Sequence, residues 1–442
     1  SLPLAFSQLG NVLLGPLFLI AVAMSIEFTI HVLMKTSTHG ASFEAVASAA
    51  FGRCGKTLTS IMLLVVLFFV TAGYAISLRD VIKPVADHIQ GYETPGGSRS
   101  TVSNLILAGI LLLVTPLTTL QSYTALKHAS FLSMVAILVL SLCVVYRTVE
   151  CNLSASVPPL SQYVRFVPAD FNAMMNALPV LISAYICHFN VLPVYAELQN
   201  PTECRARYLS RSTVVVASIF YMSIGLFGSL HGNCTGGTVN GNILLDFDDE
   251  DKLLMVGRVC LGITITLSFP LLVIPARDIL SRWISAVTCS RGGWRVGASY
   301  KDDDTLEESL LESEQSVFES DELGISSVEN VNAINGNNST NSTKHHVYNG
   351  ENDNCTTIII VAVTFFWSSG FVAFLVENVD VIWVFLGSLT SVAIGFMIPL
   401  GSYLVLCGEG ETKQTRIWAW FLLVLYGVGM IVFMCHSLRS WF

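Results

Sequence analysis

The sequence predicts an all-α polytopic membrane protein, with ten full hydrophobic spans preceded by the end of another helix. Three observations predict it. Of 442 residues, 52% are hydrophobic and only 12% charged; the mean hydropathy is +0.62; and the apolar residues gather into long blocks. A water-soluble domain keeps about a quarter of its residues charged and spreads its apolar positions at the period of its helices or strands. A helix that crosses a bilayer needs about 20 consecutive, predominantly apolar residues.

In chain order the blocks run 11–34, 57–78, 102–120, 129–146, 171–194, 213–230, 253–274, 356–376, 381–406 and 417–434. Each is close to or above the roughly 18 residues that mark a span. Residues 1–10 read as the second half of a further apolar segment, because the chain opens on Ser1-Leu2-Pro3-Leu4-Ala5-Phe6 without an initiator Met. The expectation is a first helix truncated here, whose missing part serves as the insertion signal in place of a cleaved signal peptide.

Lys and Arg set the orientation, since cytoplasmic loops carry the excess of both. Counted over alternate loops, fifteen fall on one side and eight on the other, which places the loop after 11–34 in the cytoplasm. Eleven spans then leave Phe442 on the outer or lumenal side. Residues 1–288 are expected to form a membrane domain from the truncated first helix to the eighth. Residues 289–354 form an acidic cytoplasmic loop, and 355–442 carry helices 9 to 11.

Residues 301–354 hold thirteen acids against two lysines, so the net charge of -9 belongs to this loop. Its Ser- and Asn-rich composition without helical period predicts disorder. The acidity therefore does not mark a charged binding face, and no nucleic-acid partner is expected. Glu307-Glu308-Ser309-Leu310-Leu311 resembles an acidic dileucine signal, and a cytoplasmic sorting or signalling partner would bind at 301–354.

Cys151 and Cys234 are the only cysteines in loops assigned to the outer side. An oxidising compartment permits a bond between them if their Cα atoms come within about 7 Å. Asn152-Leu-Ser and Asn233-Cys-Thr are the outer glycosylation acceptors; the sequons at Asn337, Asn338, Asn341 and Asn354 fall in the cytoplasmic loop and should stay unused. No cysteine spacing suggests a zinc site. Phosphate-binding Gly-x-x-x-x-Gly-Lys, His-Glu-x-x-His and Gly-x-Ser-x-Gly are absent, so neither an enzyme nor an ATP-driven pump is expected, and no cofactor or metal is implied. Nothing resembles a selectivity filter or a ring of pore charges.

Leu2-Pro3-Leu4-Ala5-Phe6 in helix 1 is echoed by Val191-Leu192-Pro193-Val194-Tyr195 in helix 6. Proline interrupts both. An offset of five helices matches two five-helix repeats of inverted topology plus an eleventh helix, a carrier architecture in which broken helices expose backbone groups at the bilayer midplane. Asn190 to Pro193 inside an otherwise apolar span leads to the expectation that Pro193 and the residues around it interrupt helix 6 at a central cavity.

The stretch from Ile182 to Pro201, with Cys187-His188, Leu192-Pro193 and Glu197-Leu198, resembles the sixth helix of the amino acid/auxin permease family. That family includes sodium-coupled neutral and vacuolar amino acid transporters. Leu2 to Phe6 is similar to the end of its first-helix motif, and Ser268-Phe-Pro-Leu-Leu-Val-Ile-Pro-Ala-Arg277-Asp278 to its eighth helix. The Gly-rich part of the first helix, which precedes Leu-Pro in the family, is not in this sequence. The resemblance implies a LeuT-like 5+5 inverted repeat with substrate between helices 1, 3, 6, 8 and 10. It implies secondary active transport of a small amino acid by symport or antiport, across a plasma membrane or a vacuolar or lysosomal one. Matched positions give Leu2, Pro3, Tyr185, His188 and Asn190 as substrate-binding candidates. Thr266 and Ser268 resemble hydroxyls that help hold sodium in coupled members, although such hydroxyls commonly bond their own helix. Glu27 and His31, four apart on one helix face, are the alternative: a carboxylate and an imidazole that would relay a proton, or a pair that satisfies itself. The coupling ion is thus H+ or Na+, with the titratable pair favouring H+. An amino-acid sensor signalling through the 301–354 loop is the second reading.

Overall fold

The structure is a computed structural model that describes residues 1–37, 42–90, 101–119, 127–154, 157–168, 170–196, 198, 202–291, 350–376, 379–407 and 413–441. One compact unit holds Ser1–Ser281 and Thr356–Phe442, and Arg282–Cys355 forms another. Residues 301–349, with the dileucine-like motif and the sequons at Asn337, Asn338 and Asn341, lie outside the described residues. Asn354 falls in a helix that begins at Gly350, earlier than the expected boundary.

The regular structure of the described residues is helical throughout. In order it comprises α1 (Leu2–Leu9), α2 (Leu14–Thr36), α3 (Phe43–Gln90), α4 (Thr101–Thr118), α5 (Lys127–Asn152), the short α6 (Leu160–Tyr163), α7 (Phe171–Ala184), α8 (His188–Ala196) and α9 (Glu203–His231). A 3₁₀ turn at Ile243–Asp246 leads to α10 (Lys252–Arg291) and α11 (Gly350–Leu375). Then come α12 (Val379–Phe385), π turns at Leu386–Thr390 and Ala393–Met397, α13 (Ile398–Leu406) and α14 (Lys413–Trp441). Nine helical stretches among the described residues are long and apolar enough to cross a membrane. The remaining expected block, 102–120, is the shorter apolar helix Asn104–Thr118.

Apolar side chains occupy both faces of these helices. Leu111 and Val114 of α4 are buried while Leu105, Leu112 and Leu113 are exposed, and α14 exposes Trp418, Phe421, Leu425, Val428 and Ile431. In water such surfaces would aggregate; in hydrocarbon they face a solvent as apolar as themselves. With α7 and α8 as the halves of helix 6, and α12 to α13 as helix 10, the packing follows the repeat. Helix 2 (α2) packs on helix 7 (α9), helix 1 (α1) packs on both α7 and α9, and α2 packs on α13 as α9 packs on α5. A shift of five helices maps the helix 2–10 contact onto the helix 7–5 contact, and an odd shift reverses direction across the membrane.

Close approach between helices rests on small residues, since lipid offers no hydrophobic drive for helix association. A Cβ at Gly228 would lie 2.5 Å from the Pro3 ring, and one at Gly225 2.8 Å from the Phe6 ring, so α1 lies directly on the α9 backbone. In the first π turn a Cβ at Gly387 would fall 1.9 Å from the Pro179 carbonyl oxygen, so helix 10 and α7 meet backbone to backbone.

One end of the bundle is held by polar ties. Cys151 and Cys234 are joined by a disulfide with Cα atoms 6.4 Å apart. Beside it the Asn233 amide donates to Asn152 Oδ1 (2.9 Å) and the Pro158 carbonyl (3.0 Å), and the Asn152 amide donates to the Thr148 carbonyl (2.9 Å). Both amide nitrogens of the two outer sequons are thus engaged inside the fold, and Asn233 is buried. Arg147 donates to Asp251 at 2.8 Å. Burial pushes the Asp251 carboxyl up, but hydrogen bonds from Arg147 and the Leu254 and Leu253 amides outweigh it and hold the group below its ordinary value.

Arg258 of α10 is buried beneath the segment that follows the disulfide. Its guanidinium donates to the carbonyls of Leu244 (2.9 Å), Phe247 (3.1 Å), Asp248 and Asp249 (both 3.4 Å), and pairs with the Asp249 carboxylate at 2.9 Å. Five donors in a fixed fork suit such a cluster of acceptors. Arg258→Met should strand those carbonyls at a cost of roughly 3 kcal/mol. Thermal melting of the purified variant should fall by several degrees, and limited proteolysis between 235 and 250 should accelerate; unchanged cleavage would remove Arg258 as the anchor.

Candidate functional site

Helix 6 is broken. α7 ends at Ala184, Tyr185 to Cys187 leave the helix, and α8 resumes at His188. The turns tighten to three-residue spacing across the gap, with the Tyr185 N–H on the Ile182 carbonyl (3.3 Å), Ile186 on Ser183 (3.2 Å) and Asn190 on Cys187 (2.9 Å). The break falls at Tyr185 to Cys187, at the start of the unwound stretch expected over Tyr185, His188 and Asn190 and one to two turns before Pro193. Pro193 stays inside α8, where it lacks the N–H that would bond the Phe189 carbonyl; this weakens the first turn of α8, and the ladder opens on the N-terminal side of it.

A cavity of about 370 Å³ lies against the break. Helix 6 contributes Val180, Ser183, Ala184, Ile186, Phe189 and Asn190; helix 1 gives Ser1 and Leu2; α3 gives Val70 and Tyr74. Ser268, Leu271 and Leu272 of α10, Trp383 of α12 and Tyr221 of α9 complete it. Helices 1, 3, 6, 8 and 10 therefore converge on one space, and helix 7 joins them.

Of the residues singled out from sequence, Leu2, Asn190 and Ser268 line this cavity. Ser268 donates to the Thr264 carbonyl at 2.7 Å and Ser183 to the Val180 carbonyl at 2.9 Å, so each hydroxyl hydrogen is used and the oxygen lone pairs remain for a cationic group. Thr266 does not join them. Two residues on a helix are about 200° apart, and Thr266 instead faces a lateral apolar groove with Leu78, Ile106 and Ile263, its hydroxyl on the Gly262 carbonyl at 2.7 Å. Pro3 packs against Gly228 of α9.

Tyr185 and His188 flank the break with side chains turned away from the cavity lining. The Ser218 hydroxyl, 2.7 Å from Tyr185 Oη, already donates to the Val214 carbonyl at 2.7 Å, so the phenol is the donor. His188 is fully buried, with Nε2 2.9 Å from Thr29 Oγ1 of α2. Thr29 gives its only hydrogen to the Ile26 carbonyl at 3.0 Å, so Nε2–H donates and Nδ1 is left as a lone-pair acceptor without a partner. The two side chains tie the lips of the break to helices 7 and 2, which leaves the backbone of these residues at the gap. Glu27 and His31 are engaged across the α2–α9 interface, by Arg211 at 3.5 Å and Arg207 at 2.8 Å, and neither lines the cavity. Sequence reasoning missed Tyr74, Ser183, Tyr221 and Trp383; of the three rings only Tyr221 stands near the middle of its apolar block, where its polar tip was an available signal.

A bundle of spans whose broken helix opens onto a midspan cavity is built as a membrane carrier is built. Residues 1–439 match the family described as transmembrane amino acid transporter protein, and the chain belongs to that family. It is 28% identical over 287 residues to the putative sodium-coupled neutral amino acid transporter 11 of Danio rerio, covering 63% of this chain and 61% of the relative. It is 24% identical over 282 residues to vacuolar amino acid transporter 5 of Schizosaccharomyces pombe, covering 63% and 64%. The matched region thus spans about three fifths of the length of these relatives. Among solved structures it is similar to MhsT in complex with L-phenylalanine, at a TM-score of 0.44 and 11% identity over 98% of this chain and 94% of that one.

Thr29→Val should strand the buried His188 N–H, costing roughly 1–3 kcal/mol, while Thr29→Ser keeps the acceptor. Melting curves of the two purified variants should separate accordingly; equal melting would show that the tie carries no weight.

Proposed function

We propose that this chain is a secondary active transporter that moves amino acids across a membrane. The observation that carries it is the interruption of helix 6 at Tyr185 to Cys187, set against a cavity walled by helices 1, 3, 8 and 10. The end of α7 presents its last carbonyls and the start of α8 its first amides, with the partial negative and positive charge of helix termini. Such a pair suits the ammonium and carboxylate that every α-amino acid carries. Asn190 and the Ser268 oxygen supplement them. The names of the relatives agree with this substrate class.

The driving ion is proposed to be H+, with Na+ as the alternative. Glu27, beside Arg211 and one turn from His31, sits where proton uptake would loosen the helix 2–helix 7 contact and so couple to the bundle that holds the broken helix. Ser268 would supply an oxygen ligand under the sodium reading. The orientation with the disulfide outside follows the Lys and Arg distribution.

Reconstituted vesicles loaded with buffer and challenged with labelled amino acids should show concentrative uptake driven by an inward proton gradient. Binding without flux would favour a sensor. In Glu27→Gln the dependence of uptake on external pH should flatten; an unaltered pH profile would take Glu27 out of the coupling, and uptake that follows sodium at constant pH would transfer it to the Ser268 side.

A further inference from the structure

We infer that the cytoplasmic end of helix 7 holds an anionic phospholipid, its headgroup on Arg205 and Tyr208 and an acyl chain laid along the helix. A cavity of about 350 Å³ lies where the chain passes from α8 into α9. Leu198 of the link and Cys204, Arg205, Tyr208, Leu209 and Ser212 of α9 line it. The Lys and Arg distribution assigns this end of the bundle to the cytoplasm, and the cytoplasmic leaflet is the one that carries anionic lipid.

Three arginines stand at this end of α9, and they divide between two faces. Arg207 and Arg211 reach helix 2, at His31 (2.8 Å) and Glu27 (3.5 Å). Arg205 is exposed and lines the cavity. A guanidinium carries five N–H donors, more than one protein partner uses, and meets phosphate oxygens in pairs. The Tyr208 side chain, 77% exposed, adds a phenol donor beside it. Farther along, the surface turns apolar. At 100° per residue, positions 205, 209, 212, 216 and 219 share one stripe of the helix, and Leu209, Val216 and Ile219 are exposed on it. Ser212, the polar member, gives its hydrogen to the Leu209 carbonyl at 2.9 Å, so an acyl chain there meets no unpaired donor. The rise from Arg205 to Val216 is about 16 Å, half of a hydrocarbon core of about 30 Å. The stripe therefore has the length of one leaflet and the order of a lipid: charge, an aromatic ring at headgroup level, then hydrocarbon. A choline or ethanolamine headgroup brings its own cation towards Arg205, so a lipid of net negative charge fits better. The Leu198 N–H closes the end of helix 6 on the Tyr195 carbonyl at 3.2 Å, and a lipid bridging Leu198 and Tyr208 would brace the inner half of the broken helix against helix 7.

The test uses the purified full chain in detergent, with thermal melting followed as phosphatidylserine or phosphatidylcholine of the same acyl chains is added. Phosphatidylserine should raise the melting temperature at lower concentration than phosphatidylcholine does. In Arg205→Gln the apparent affinity for phosphatidylserine should fall about 5-fold, the weight of one arginine beside an anionic leaflet, with the response to phosphatidylcholine unchanged. Glycerophosphoserine, the same headgroup without acyl chains, should not stabilise the protein. An equal response to the two lipids would overturn the assignment, and neither that comparison nor the free headgroup needs a variant that folds. Stabilisation by the free headgroup alone, or an unaltered phosphatidylserine response in Arg205→Gln, would overturn it too. The binding assay requires no flux, so its failure leaves the carrier reading standing.

Discussion

Inside the hydrocarbon of a bilayer, no water is present to hydrogen-bond a backbone group that its own helix has released, and each orphan costs several kcal/mol. Most of what is particular about this fold follows from that constraint. A helix is the default because it satisfies its own backbone, and a break is tolerated only where other protein groups or a solvated cavity meet the freed carbonyls and amides. The interruption at Tyr185 to Cys187 obeys this rule: it faces the cavity instead of lipid, and three-residue turns recover part of what the α-helical ladder loses. Helix 10 departs from α geometry too, and it does so facing inward. Its first π turn lies against Pro179, itself unable to donate, with Gly387 admitting the contact.

Once broken, helix 6 has two short halves that cannot hold each other in place. Each is secured to a neighbour at the lip of the gap, α7 through the Tyr185 phenol on Ser218 and α8 through the His188 imidazole on Thr29. These are single hydrogen bonds between uncharged groups, satisfied without importing a charge into the membrane. Ser218 belongs to helix 7 and Thr29 to helix 2, the equivalent helices of the two repeats, so the lips are anchored symmetrically. Helix 6 is thereby tied to helices 2 and 7, with helix 1 packed on α7 and α9, while Tyr74, Ser268 and Trp383 on helices 3, 8 and 10 line the cavity beside the break.

The spans were readable because hydropathy reports what a segment can be buried in, and lipid and protein core make the same demand. The inverted repeat was readable from two Leu-Pro pairs five helices apart. The position of the break was readable from the family resemblance, which put Tyr185 in the unwound stretch, and not from the residues themselves, because Pro193 advertises itself while Tyr185-Ile186-Cys187 contains nothing that forbids a helix. Sequence did not distinguish His188 as ligand from His188 as tie, since both uses want a buried imidazole and only the location of Thr29 decides. Thr266 and Ser268 were separable in principle by helical period alone. The aromatic wall was hidden because Tyr and Trp in a span usually mark the lipid interface, and Trp383 and Tyr74 face inward.

The disulfide has a topological effect as well as a local one. Cys151 and Cys234 are 83 residues apart, and the chain between them contains both halves of helix 6 and the whole of helix 7. The broken helix is thus threaded into a covalent macrocycle closed at one end of the bundle. A peptide bond cut anywhere in that ring, in the 153–170 connection or the short link between α8 and α9, opens the cycle without releasing a fragment, so the molecule runs as one band until a reductant is added.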